Sequence, residues 1–123
     1  MALSDGLRNK EALKKMIELS LINTPNQEFN AVLNDQNCTI LVRFLGDNAY
    51  FSLWVDDDPI VQNVIMLPKE KILLYQSNFS GNFFIVDSTS PADNQSKPNY
   101  EELENRFKLY YLTDEEMQEI END

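Results

Sequence analysis

The chain has 123 residues, 42% of them hydrophobic, with 21 acidic against 10 basic side chains, a formal charge of −11 at pH 7 and no histidine. That size suits one domain with one modest core. The charge opposes binding to nucleic acid or anionic membranes, and the missing histidine removes the commonest general base and metal ligand.

Residues 1–15 stand apart. Ser4 or Asp5 is placed to cap a helix, and Arg8, Lys10, Lys14 and Lys15 supply four of the ten basic residues. Leu7, Leu13 and Met16 form only a weak apolar stripe. Two readings stay open: a solvent-exposed helical arm, or an arm that docks on a neighbour's acidic surface through Arg8, Lys10, Leu13, Lys14, Lys15 and Met16. The N-terminus has no apolar core and cleavage site of a signal peptide. No apolar run approaches the ~20 residues of a membrane-spanning helix.

The β domain is expected over residues 16–113. Residues 16–22 fit either a continued helix or a first strand, since Ile17, Leu19 and Leu21 alternate. Asn23, Thr24, Pro25 and Asn26 break the chain. Residues 27–33 alternate, with Phe29, Ala31 and Leu33 on one face, and a polar loop at 34–37 follows.

Three strands at 39–45, 50–55 and 60–67 come next, rich in β-branched and aromatic residues. Gly46-Asp47-Asn48 and Asp56-Asp57-Asp58-Pro59 separate them, short enough for hairpins, so an antiparallel meander is predicted. Trp54, flanked by apolar neighbours, is expected to be substantially buried there. Residues 72–75 are a short apolar run, either strand or helical turn. Residues 83–88 are a strand whose unbroken apolar start suggests burial on both faces, or aromatics that face a partner.

Residues 89–98, TSPADNQSKP, are an exposed loop. A helical turn fits residues 100–105. Residues 106–112 alternate, with Phe107, Leu109 and Tyr111 inward. Thr113 to Glu116 matches a capping box, so residues 114–123 are expected as a short acidic helix or mobile tail. The fold class is therefore mainly all-β: a small antiparallel barrel or sandwich of about seven strands with an N-terminal arm and an acidic C-terminus.

Catalytic chemistry is hard to find. Cys38 is the only cysteine, so no internal disulfide or multi-cysteine zinc site can form, and beside a strand it reads as a packing residue. Asp56, Asp57 and Asp58 are consecutive and followed by Pro59, unlike the spaced acids of a calcium loop, and read as an acidic hairpin turn. Gly6, Gly46 and Gly81 are isolated, so no phosphate loop exists. Glu101, Glu102 and Glu104 have polar flanks and read as surface. No catalytic, cofactor-binding or metal site is assigned.

The order of PNQEFNAVLNDQNCTILVRF, AYFSLWVDDDPIVQNVIML, FFIVDST and RFKLYYL resembles the baseplate plug family of contractile-tailed phages and related prophages. The resemblance implies a small β-barrel-type protein near the hub end of the tail tube, without catalysis or cofactor. It implies tube, hub and other baseplate proteins as partners, and a virion component assembled in the host cytoplasm. A homo-oligomeric ring is expected, six copies favoured over three. The basic segment up to Lys15 and the acidic segment after Leu112 extend past the family's usual limits. The alternative is a small acidic inhibitor that imitates DNA on a basic protein surface.

Overall fold

The computed structural model describes residues 16–74 and 79–121. Seven strands form two antiparallel sheets. They are β1 (Ile17–Leu19), β2 (Asn26–Leu33), β3 (Gln36–Leu45), β4 (Asn48–Val55), β5 (Asp58–Ile65), β6 (Asn82–Asp87) and β7 (Phe107–Leu112). A 3-10 turn at Tyr100–Glu102 and one helix, α1 (Asp114–Glu121), complete the described elements. One sheet has the order β2-β3-β4-β5 and the other β1-β7-β6. The two face each other across one core, so the molecule is a sandwich and not a closed barrel.

The predicted meander is β3-β4-β5, extended by β2. Its hairpins follow from turn chemistry. Asn34 and Asp35 both have positive φ (51° and 62°), as do Asp56 and Asp57 (51° and 70°). Two such residues make the two-residue turn that matches strand twist, and Asn and Asp tolerate it best. Asp58 and Pro59 lie not in the turn but in β5, opposite Val55 and Trp54. Pro is admissible there because β5 is an edge strand.

Period-two alternation explains most of the core. Phe51 and Leu53 face inward with Ile40 and Val42, and all four are fully buried. The same alternation turns Trp54 outward, between Thr39 and Pro59. Trp54 is largely but not fully covered and does not join the core, so its cover comes from the outer face of the sheet. Sequence neighbours on a strand point to opposite faces, so flanking apolar residues say nothing about the Trp itself. Trp54→Ala is accordingly expected to cost about 1–2 kcal/mol, in keeping with partial burial. Urea unfolding measures it, and a loss above that of a fully buried aromatic would put Trp54 back in the core.

Of the open alternatives, β1 is a strand, paired to β7 by Ile17↔Tyr111 and Leu19↔Leu109. β6 is buried on both faces. Phe83 and Ile85 enter the main core, while Phe84 packs with Met16, Leu112 and Met117 on the far side of its sheet. Residues 72–74 are neither strand nor helix. They belong to a strap along the outer edge of β6: Lys69 N–H donates to Ile85 C=O at 2.9 Å and Ile72 N–H to Phe83 C=O at 3.1 Å. Asn82 closes the strap, its amide bonding Leu73 N–H at 2.9 Å and Leu73 C=O at 2.8 Å. Gly81, at φ 104°, lies where Tyr111 leaves no room for a Cβ.

The C-terminal segment is a helix anchored by buried Met117, not a free tail. The capping box forms: Thr113 N–H donates to Glu116 Oε1 at 2.9 Å and Glu116 N–H to Thr113 Oγ1 at 3.2 Å. The expected N-terminal helical arm falls at residues 1–15, outside the described residues.

Candidate functional site

Among the described residues, no group of three or more His, Cys, Asp or Glu could hold a metal ion, and no helix is long and apolar enough to cross a membrane. Cys38 is buried, and desolvation pushes its thiol up to about 11, which leaves it protonated at neutral pH. What the fold does present is surface, and its charge is unevenly placed.

One end of the sandwich gathers carboxylates. The β2–β3 turn carries Asp35, the β4–β5 turn carries Asp56 and Asp57, and the first turn of α1 carries Asp114, Glu115 and Glu116. Hydrogen bonds tie these loops together. Asn34 Nδ2 donates to Ser80 Oγ at 3.0 Å, Gln36 Nε2 to Ser80 C=O at 3.0 Å, and Gly81 N–H to Asp114 Oδ1 at 3.2 Å. Beside this end lies an open groove of about 440 Å³, whose lining includes Asn30, Val32, Asn37, Thr39, Asp56 and Asp57. Its polar walls are partly self-satisfied: Asn37 Nδ2 donates to Asp56 Oδ1 at 3.0 Å and Thr39 Oγ1 to Asn30 Oδ1 at 2.9 Å.

The groove adjoins the free edge of β2. The bond from Phe44 N–H to Pro25 C=O (2.8 Å) fixes the phase of the β2–β3 ladder. It makes Asn26↔Arg43 a non-hydrogen-bonded pair, so Gln27, Phe29, Ala31 and Leu33 bond to β3. The backbone N–H and C=O groups of Glu28, Asn30 and Val32 therefore point away from the sheet. β5, the opposite edge, is broken by Pro59, by a register shift and by Asn63 at φ 55°, whose N–H turns back to Ser52 Oγ at 2.9 Å. β2 has no proline, lysine or bulge to blunt its edge.

A second polar centre lies at the other end. Asp87 is fully buried and shares the inward phase of Phe83 and Ile85. Arg106 meets it with two bonds, Nε to Oδ1 and Nη2 to Oδ2, both 2.8 Å. Thr89 N–H, Thr89 Oγ1 and Ser96 N–H also donate to its carboxylate, at 3.2, 3.0 and 3.2 Å. Gln95 brackets its backbone, accepting from Asp87 N–H at 2.7 Å and donating to Asp87 C=O at 2.9 Å. The Arg106 guanidinium, with these donors, holds the Asp87 carboxyl far below the usual carboxylate range. The centre pins the 89–98 loop to the sandwich. Sequence reasoning missed it, although a charge at an inward strand position was the signal available.

Of the candidate contact residues, Arg8, Lys10, Leu13, Lys14 and Lys15 lie outside the described residues. Met16 is 8% exposed and packs with Phe84, Leu112 and Met117 of its own domain, so its side chain is not free for a partner.

A family model described as cyanophage baseplate Pam3 plug gp18 matches residues 16–115. The chain belongs to this family. The match begins at the buried Met16, spans all seven strands and ends in the first turn of α1. The plug family thus covers the whole sandwich, including the β2 edge, the acid-lined groove and the Asp87 centre, while the basic arm precedes it. No curated protein matches the chain.

Proposed function

We propose that the chain is a non-enzymatic structural component of a phage tail baseplate, set near the hub end of the tail tube. The observation that carries this reading is the plug-family match across residues 16–115. The physical reading agrees with it. A −11 charge disfavours holding DNA by its phosphates, which suits a part set where DNA passes. The buried thiol supplies no nucleophile. The protein is a virion component, assembled with tube, hub and other baseplate proteins in the host cytoplasm.

The working form is a closed homo-oligomeric ring, six copies favoured over three. A component around a tail tube must match its rotational symmetry with heterologous, closing contacts. An unblunted β2 edge is a surface that such a contact can cover. The basic arm, with Arg8, Lys10, Leu13, Lys14 and Lys15, is the segment we assign to the neighbour. Imaging of purified tails tests the reading: the protein is expected as an axial ring in the baseplate. Its absence from baseplates, or a single off-axis copy, overturns the ring. Monomeric, salt-sensitive capture of a basic protein away from tails would favour the DNA-mimic alternative instead.

A further inference from the structure

The two sides of the sandwich are finished differently. On the β5–β6 side, the strap from Pro68 to Leu73 bonds to Phe83, Ile85 and Asn82 and covers the β6 edge. On the β1–β2 side, the outward N–H and C=O groups of Glu28, Asn30 and Val32 have no partner among the described residues. Val32 is 68% exposed. Next to these groups, the groove near Asp56 and Asp57 is open and acidic. An open strand edge accepts an extended segment through its backbone, and adjoining pockets select the side chains. Here the selection is for a segment with basic side chains.

The chain itself contains one such segment. Residues 8–15, RNKEALKK, hold Arg8, Lys10, Lys14 and Lys15 within eight positions. Extended, they span up to about 26 Å, enough to run the length of β2 and reach the groove. Met16 packs with Phe84, Leu112 and Met117 on the far side of the three-stranded sheet. Met16 thus belongs to the outer cluster of the three-stranded sheet, whereas β2 lies in the opposite sheet.

We propose that residues 8–15 of one copy add to the free edge of β2 in a second copy, with their basic side chains in the groove beside Asp56 and Asp57. This rests on the ring reading above and names its contact. It places the arm at the β2 edge and not at the acidic C-terminal helix, whose Met117 is already engaged. Backbone pairing at Glu28, Asn30 and Val32 supplies the register, and charge supplies the choice of partner.

The test uses the full chain, mixed from unlabelled and nitrogen-15-labelled protein at millimolar concentration, with carbodiimide coupling of lysines to carboxylates. Mass spectrometry should find mixed-label links from Lys10 or Lys14 to Asp56 or Asp57, and they should disappear in 1 M salt. Val32→Pro removes an outward N–H and leaves the β2–β3 bonds in place, so the links should be lost while the melting temperature holds. Lys10→Glu with Lys14→Glu changes none of the described residues and should return sedimentation to the monomer, which keeps the idea testable should Val32→Pro not fold. Links confined to one label, links only to Asp114, Glu115 or Glu116, or a chain that stays monomeric throughout overturn the proposal. A chain found in purified tails without these links would lose the arm contact and keep the baseplate reading.

Discussion

Phe83→Ala is expected to destabilise the domain by about 3–5 kcal/mol, the range for truncating a buried aromatic. Phe83 is fully buried at the junction of the two sheets. Its ring lies 4.8 Å from that of Phe51 on β4, 5.4 Å from that of Tyr111 on β7 and 5.5 Å from that of Phe79 ahead of β6. These contacts come from both sheets and from the end of the long connection, so no single element can shift to fill the void. The residual cavity then adds to the lost transfer energy, and the cost falls high in the range. Against a typical total of about 5–15 kcal/mol, such a loss is a large share of the stability. Urea titration gives the number, with Trp54→Ala as the internal contrast. A cost for Phe83→Ala below that of Trp54→Ala would mean that the sheets are not held together at this aromatic cluster.

That contrast also marks what the sequence could and could not convey. The meander was legible because hairpins are local: Asn34-Asp35 and Asp56-Asp57 favour the left-handed turns that two-residue loops require. The inward sets on β7 and β2 were legible because period two is local as well. The face on which Trp54 lies was not legible from its apolar neighbours, because phase and not local composition decides it. β1 stayed open between helix and strand because three paired residues carry too little periodicity to decide. The strap over β6 and the open edge of β2 depend on which edges meet in space, and no short window of sequence encodes that. The groove beside Asp56 and Asp57 was invisible for the same reason. Its acids were read correctly as a turn, but their nearness to the β2 edge is a product of register.

The Asp87–Arg106 centre should dominate the acid stability of the protein. Asp87 is fully buried, so removing Arg106 leaves an uncompensated carboxylate in the interior, and removing the carboxylate leaves the Thr89 and Ser96 N–H groups without their acceptor. Asp87→Ala is expected to cost about 3–5 kcal/mol at pH 7, the usual penalty for breaking a buried pair from one side. It should also loosen the 89–98 loop, because Thr89 and Ser96 donate to the Asp87 carboxylate, while the Gln95 bonds to the Asp87 backbone remain. The pH dependence has a defined sign. The folded carboxyl is held well below its ordinary value, chiefly by Arg106, so the unfolded chain binds this proton more readily. Its contribution is complete above the unfolded carboxylate value of about 3.9 and is lost as pH falls below it. Glu102 is shifted the same way by bonds from Asn99 and Arg106, but its side chain is exposed and solvent screens it, so Glu102→Gln should leave most of the acid slope intact. Between pH 6 and 8 the stability should be nearly flat, for the chain has no histidine and burial holds the Cys38 thiol up near 11. Urea unfolding at pH 7, 4 and 3 should show a clear decline in the native protein and a shallower one in Asp87→Asn. Equal slopes in the two proteins would remove Asp87 from the account of acid lability and leave the exposed carboxylates to explain it.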